Sequence, residues 1–349
     1  MPENRFDRYK LDFSKEGIQK SKTFRVSTGF KNLDKLIQGG LGAELIVLGA
    51  ISSLGKSTFA LQMAQQISSR NIPVLYFSLE MSKQNISLKL SSRTAFEMVK
   101  KDAEYAEAKK KALSSSEISG KYVVEGEKEL LRDAALEKCS EETQSLYIIE
   151  RDKEHLSFSA DSIAETVNEF MKLNSGLNPV VFVDYLQILS SSNNSYGTKN
   201  ERQIVDENIT RLWLLAKEKN IPVFVISSVN RESYNKPISF AAFKESGAIE
   251  FTADVVLGMQ FSAVREMDKA ALKSFSADTE KQNDPRRLEI IVLKQRYGMC
   301  GNDVFCRFNY YPAYSCFEED NDLLVSRYQT ASAYRSGNKS KADEGVIDL

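Results

Sequence analysis

The stretch "LIVLGAISSLGKSTFALQMA" (45–64) is where phosphate chemistry is written into this chain. An apolar run ends at Ala50, a loop of small residues follows, and Gly55, Lys56 and Ser57 open a helix. A loop of this kind lets backbone N–H groups curl around phosphate oxygens, and the helix N-terminus adds positive potential. Ser52, Ser53, Leu54, Gly55, Lys56, Ser57 and Thr58 are thus the candidate cradle of a nucleoside triphosphate. Lys56 would reach the β- and γ-phosphates, and the Ser57 hydroxyl would sit on Mg²⁺. Ala50 stands at the first glycine of the strict pattern G-x-x-x-x-G-K-[ST], with Gly49 just before it, so this P-loop is a variant. Such a loop also needs acids. Asp184, ending the apolar "VVFVD", is the candidate metal carboxylate, and Glu80, ending "VLYFSLE", is placed to orient a water in line with the γ-phosphate.

These groups must be held by a sheet. "AELIVLGA", "PVLYFSLE", "SLYIIE", "NPVVFVDYLQIL" and "IPVFVISS" read as buried strands, separated by helices over 56–69, 82–98 and 201–219 and by one carrying Ile163, Val167 and Phe170. Strand and helix alternation with apolar strands predicts an α/β fold with a mainly parallel sheet flanked by helices. After Ala253 the text turns to strands without helices ("ADVVLGMQF", "RRLEIIVLKQRYG", "DVFCRFNYY"), which predicts an antiparallel extension on the C-terminal side. The expected division is an arm over 1–22, one ATPase domain over 23–328 with a charged helical insertion at 99–145, and a disordered tail over 329–349. Residues 190–201 ("SSSNNSYGTKNE") read as a flexible loop beside a strand end.

The bulk composition excludes several classes. The chain has 349 residues, of which 42% are hydrophobic and 27% charged, an ordinary globular mix. With a net charge of -1 there is no global basic field, so nucleic acid must be met by a local patch or by several assembled copies. No apolar run approaches the roughly 18 residues of a membrane span, and "MPENRFDRYKLDFSKEG" is too polar for a secretory leader. The four cysteines (Cys139, Cys300, Cys306, Cys316) lack paired spacing and His155 is the one histidine, which argues against zinc and histidine triads. Reduced thiols in a cytoplasmic protein are the expectation.

Several segments together resemble the RecA-fold, C-terminal ATPase domain of bacterial replicative helicases of the DnaB type. In order they are "STGFKNLDKLIQGGL", "GAISSLGKSTFALQMA", "VLYFSLEMS", "VVFVDYLQIL", "VFVISSVNRES", "FKESGAIEFTADVVLGM" and "EIIVLKQRYG", spanning roughly residues 23 to 317. The resemblance implies a RecA-like P-loop NTPase that assembles as a hexameric ring, hydrolyses ATP with Mg²⁺ at subunit interfaces and moves along single-stranded DNA. Primase or a helicase loader would be its partners. It assigns Lys56 and Ser57 to the P-loop, Glu80 to catalysis and Asp184 to the metal. "KQR" places Lys294 and Arg296 where the family presents cations to the neighbour's γ-phosphate, and a guanidinium supplied in trans makes hydrolysis depend on assembly. "FKESG" matches the loop that touches the DNA backbone, making Lys244, Glu245 and Gly247 the candidate contacts.

Two departures stand out. The family's Ser-Gln-(apolar)-Asn-Arg segment, whose Gln senses the γ-phosphate, is "SSVNR" here, with Ser228 at the Gln position; Gln187 in "DYLQ" is the other sensor candidate. The family's N-terminal collar domain has no counterpart in residues 1–22. Two other readings stay open: a regulatory or recombination ATPase like KaiC or RadA, suggested by "TGFKNLDKLIQGGL", and an ATP-gated single-strand clamp without unwinding.

Overall fold

The computed structural model describes residues 25–101, 103–151, 157–191, 199–230, 233–243, 246–268 and 271–320. The expected arm, tail, most of the 190–201 loop and the candidates Lys244 and Glu245 lie outside them. Strand β1 (Leu45–Ala50) is buried along its whole length, as are β2 (Val74–Ser78) and β4 (Val180–Asp184). Continuous apolar strands of this kind persist only where both sheet faces are covered. Helix α1 (Lys56–Ser68) follows β1 and packs across the parallel strands; its side chains are buried at ten positions, from Thr58 to Ser68, so it lies inside the domain. Helix α2 (Lys83–Lys100) follows β2, its first turn capped by the Ser82 hydroxyl, which accepts from the Asn85 N–H.

The remaining elements are α3 (Glu127–Glu142), β3 (Leu146–Glu150), α4 (Ala160–Leu173), α5 (Glu201–Lys219), β5 (Val223–Ser228), α6 (Ser246–Thr252) and β6 (Val255–Phe261). β7 (Arg286–Gln295), β8 (Phe305–Tyr311) and β9 (Cys316–Glu319) complete the sheet. Its order is β3-β2-β4-β5-β1-β6-β7-β8-β9. The first six strands in that order run parallel, and β7, β8 and β9 add antiparallel. This is the predicted RecA-like α/β plan.

Three details differ from the sequence reading. "NPVVFVDYLQIL" is not one strand: β4 stops at Asp184, and Leu186–Ile188 is a 3₁₀ turn that folds Leu186 into the core. Apolar continuity cannot distinguish a strand from a turn that buries the same side chains. Short helices at Ala263–Glu266, Ala271–Ser274 and Ala277–Glu280 interrupt the supposed helix-free region. Strand β9 was not foreseen. It is held by an aromatic cluster on α1, where the Phe59 ring meets Phe308 at 5.3 Å and Phe317 at 5.1 Å between centroids. The Gln62 amide exchanges two hydrogen bonds with the Phe317 backbone, at 2.8 and 2.7 Å.

The charged 99–145 stretch folds as helices Tyr105–Lys111 and Ser115–Ile118 followed by α3. It packs on α2 through two small clusters, one around Phe96 with Ala108, Ala112, Tyr311 and Tyr314, the other around Ala95, Leu113, Ile118 and Ala135. Alanines let the helices approach closely, which is how a segment poor in large apolar side chains still finds a core.

Candidate functional site

Strand register brings the candidate residues to one edge of the sheet. Ala50 pairs with Ser228 and Met259, and Ser78 pairs with Asp184, so the segments after β1, β2, β4 and β5 meet outside the strands' carboxyl ends. Open α/β sheets bind ligands at this edge, where strand order reverses. The loop turns at Gly55, whose φ is +97° and whose absent Cβ would lie 2.9 Å from Phe317 and 3.0 Å from Tyr310. Conformation and space both demand glycine here.

The edge encloses a cavity of about 410 Å³. Ser52, Ser53, Gly55, Lys56, Ser57 and Thr58 line one side of it, and Glu80, Asp184 and Ser228 the other. Its volume is in the range of small-molecule sites. Leu54 is fully buried and does not line it. The Lys56 ammonium donates to the carbonyls of Ala50 at 2.9 Å and Ile51 at 3.2 Å. Burial lowers its pKa to about 8 against the opposing pull of Asp184 and Glu80.

Asp184 is buried, and desolvation pushes its carboxyl above the usual range although hydrogen bonds from Ser57 and Tyr76 oppose the shift. The Tyr76 hydroxyl donates to Oδ2 at 2.9 Å, while Oδ1 is buried with no hydrogen-bond partner in the protein. An orphaned buried carboxylate oxygen beside a serine hydroxyl is a hard-oxygen donor set suited to Mg²⁺, which completes its shell with water and phosphate oxygens. Among the described residues there is no cluster of three or more His, Cys, Asp or Glu that could hold a metal by itself.

Three residues of this edge were missed from the sequence. Lys89, from the middle of α2, lines the cavity and lies 3.5 Å from Thr58 Oγ1 and 3.4 Å from Ser315 Oγ, its pKa lowered by burial. Tyr310, from β8, lines it too; its ring stacks on Phe317 at 4.2 Å. Arg286, opening β7, donates to the Ser53 carbonyl at 3.1 Å and faces the Tyr310 ring at 5.8 Å. Lys89 follows Glu80 by nine residues beside the buried Ile86 and Leu90, a weak signal. Nothing local marks Tyr310 or Arg286.

Of the two sensor candidates, Ser228 lines the cavity and Gln187 does not. The Gln187 amide donates to Ser227 Oγ at 2.9 Å and accepts from the Ser228 N–H at 3.1 Å, clamping the end of β5.

Lys294 and Arg296 are elsewhere. Gln295 pairs with Val255, which pairs with Ile46 near the start of β1, so these cations sit at the amino edge of the parallel strands. There they cap α6. Lys294 donates to the Glu250 and Phe251 carbonyls, and Arg296 to those of Phe251 and Thr252, both at 3.4 Å. Arg296 also pairs with the buried Asp254 at 3.0 Å, and Lys217 reaches the same carboxylate at 3.0 Å. Burial and the neighbouring Arg296 lower the Lys294 pKa. Phe251 and Tyr297 flank them, 79% and 73% exposed. Gly247 lies in the first turn of α6, with the Arg202 guanidinium 3.5 Å from where its Cβ would be. Among the described residues no helix is long and apolar enough to cross a membrane.

The model of the DnaB-like helicase C-terminal domain family matches residues 25–319. The chain is 28% identical over 280 residues to a probable replicative DNA helicase of Trieres chinensis, covering 79% of this chain and 54% of that protein. It is 29% identical over 280 residues to the replicative DNA helicase DnaB of Geobacillus stearothermophilus, covering 79% and 53%. It therefore spans about half the length of the curated relatives it matches. Among solved structures, the ATPase domain of G40P superposes with a TM-score of 0.65 at 20% identity, covering 86% of this chain and 94% of that one. A DnaB-like replicative helicase solved for its interactions with primase gives 0.63 at 20%, covering 86% and 64%. At such identity these two likenesses establish a common fold.

Proposed function

Starting from the fact that the chain belongs to the DnaB-like helicase C-terminal domain family, we propose that it is the ATP-hydrolysing motor of a replicative DNA helicase, working as a hexameric ring on single-stranded DNA. The observation that carries this reading is the separation of the two cationic groups. Lys56 lies beyond the carboxyl end of β1, whereas Lys294 and Arg296 lie at its amino end. Six residues of strand put roughly 17 Å of sheet between the two edges. One chain cannot bring both groups to one phosphate. A ring in which the amino edge of one copy faces the cavity of the next does so, and the exposed Phe251 and Tyr297 provide apolar contact around the cations.

In this reading the P-loop N–H groups and Lys56 bind the triphosphate, with Lys89 as a further cation. Ser57 and Asp184 hold Mg²⁺, which when bound neutralises charge on the phosphates. Glu80 orients the attacking water. Lys294 and Arg296 of one copy stabilise the charge that spreads over the transferring phosphoryl group in its neighbour. Lys244, Glu245 and Gly247 meet the DNA backbone, six copies of one loop compensating for a near-neutral chain. The ATPase unit runs over 23–328 with 99–145 as its insertion, and primase or a loader is the class of protein partner. Ser228 in place of the usual Gln favours a second reading, a clamp that binds DNA but turns over slowly.

The test is ATPase rate with and without single-stranded DNA across a range of protein concentration. Specific activity that rises with concentration and is stimulated by DNA is the expected result. Turnover that ignores both overturns the motor. Tight DNA binding with slow turnover selects the clamp.

A further inference from the structure

Asp254 sits between α6 and β6, 1% exposed and away from the phosphate cavity. A buried carboxylate must be neutralised and hydrogen-bonded, and groups from three other elements do this. The Leu45 N–H of β1 donates to Oδ2 at 2.9 Å, and the Lys217 ammonium of α5 reaches the same oxygen at 3.0 Å. Arg296 Nε, just past β7, meets Oδ1 at 3.0 Å, and Trp213 Nε1 stands 3.5 Å from it. The Asp254 backbone repeats two of these links. Its N–H donates to the Leu45 carbonyl at 3.0 Å, and its carbonyl accepts from the Arg296 N–H at 3.1 Å. One residue thus fastens Arg296 to the start of β1, the strand that runs on to the phosphate loop.

A guanidinium is a planar fork with more than one usable edge. Its side edge, Nε and Nη2, is turned on the chain itself: Nε on Asp254, and Nη2 on the Phe251 and Thr252 carbonyls at 3.4 Å. Nη1 makes no hydrogen bond among the described residues, and 39% of the side chain is exposed. The end of the fork is the part open to an acceptor from outside the chain. Two further cations, Lys217 and Lys294, crowd the group, so the Asp254 charge is what keeps the guanidinium from swinging into water. We infer that Asp254 is a positioning residue for phosphoryl transfer in the neighbouring subunit: it holds the side edge of Arg296 so that Nη1 and Nη2 meet the neighbour's γ-phosphate in one orientation. This rests on the motor reading above, in which Arg296 acts in trans. A donor aimed beforehand needs no reorganisation as charge spreads over the phosphoryl group, and a floppy one does.

The experiment is steady-state ATPase and ADP titration on the full chain carrying Asp254→Asn, alone and mixed with other variants. Asparagine keeps the shape and removes the charge, and an unchanged melting temperature verifies the fold. The expected result is a fall in kcat of about 10- to 100-fold, the scale of a misaimed group, with ADP affinity unchanged. Mixing with Lys56→Ala subunits restores part of the activity, and mixing with Arg296→Ala subunits restores none. The Asp254→Asn, Arg296→Ala double variant is no slower than Arg296→Ala alone. A residue that only supports the fold shows no such half-site pattern. Wild-type kcat overturns the inference, as does rescue by Arg296→Ala subunits or a double variant whose losses multiply. If Asp254→Asn melts early, Arg296→Lys decides: it leaves the buried carboxylate paired but has no side edge to be held by. It is then as slow as Arg296→Ala, and near wild-type turnover overturns the inference. If Arg296→Ala is itself not rescued by Lys56→Ala subunits, the in-trans motor reading falls, and the double variant still decides whether Asp254 acts through Arg296.

Discussion

The two edges of one sheet are built on opposite principles. At the carboxyl edge, Lys56, Asp184, Glu80 and Lys89 converge on a cavity, where burial lowers the pKa of the Lys56 and Lys89 ammonium groups and raises that of the Asp184 carboxyl. At the amino edge, Lys294 and Arg296 point at the end of a short helix and at Asp254, with exposed aromatic residues on either side. The first edge is complete enough to bind within one chain. The second brings charge and apolar surface together outside that cavity, the arrangement that the proposed ring would use at its junctions. The proposed ring would hydrolyse only when assembled, because half of each site would be carried by the neighbour.

The comparison breaks most visibly at Arg296. Arg296→Ala should lower kcat at least about 10³-fold while leaving nucleotide affinity unchanged. Mixing it with Lys56→Ala subunits should restore part of the steady-state ATPase, since mixed rings contain junctions with both groups intact. Absence of rescue would place Arg296 in the service of its own subunit. Glu80→Gln, on the other edge, should slow single-turnover hydrolysis by about 10² to 10⁴-fold with binding retained; mixing with Lys56→Ala subunits should not rescue it, since both defects fall in one half-site, whereas Arg296→Ala subunits should.

Lys56 sharpens the contrast through pH. Its ammonium is held at about 8 by burial, and bound phosphate anions raise that value. Nucleotide affinity should therefore be full below pH 8 and fall up to about tenfold per pH unit above it. Binding near pH 8 should take up protons, which calorimetry in two buffers of different ionisation enthalpy measures directly. The smallest effect belongs to Lys89→Ala, about tenfold in nucleotide affinity, with Lys89→Arg restoring it. A loss of stability without that affinity change would make Lys89 a packing residue.

Much of this was legible before the fold was known, and the reason is locality. A P-loop is a strand, a turn and a helix start within twenty residues, so Ser52 to Thr58 declare themselves. Asp184 and Glu80 declare themselves because strand ends are readable from apolar runs. Register then carried them to one place without any further signal. Tyr310 and Arg286 were illegible because β8 reaches the P-loop through long-range packing on Phe59 and Phe317, with β7 paired beside it, which no spacing encodes. Tyr234 is in the same position: its contact with Ser52 joins residues 182 apart.

By itself the sequence determined where the strands other than β9 lie, which loop is the candidate phosphate cradle, and which acids and bases are available. Those follow from periodicity and local backbone chemistry, which act over a few residues. Only the tertiary structure decided that Lys294 and Arg296 stand across the sheet from Lys56, that Gln187 braces β5 while Ser228 meets the cavity, and that Tyr234 hydrogen-bonds Ser52. Those are consequences of strand order and of close packing, where the position of a side chain is set by neighbours that the chain brings from far away.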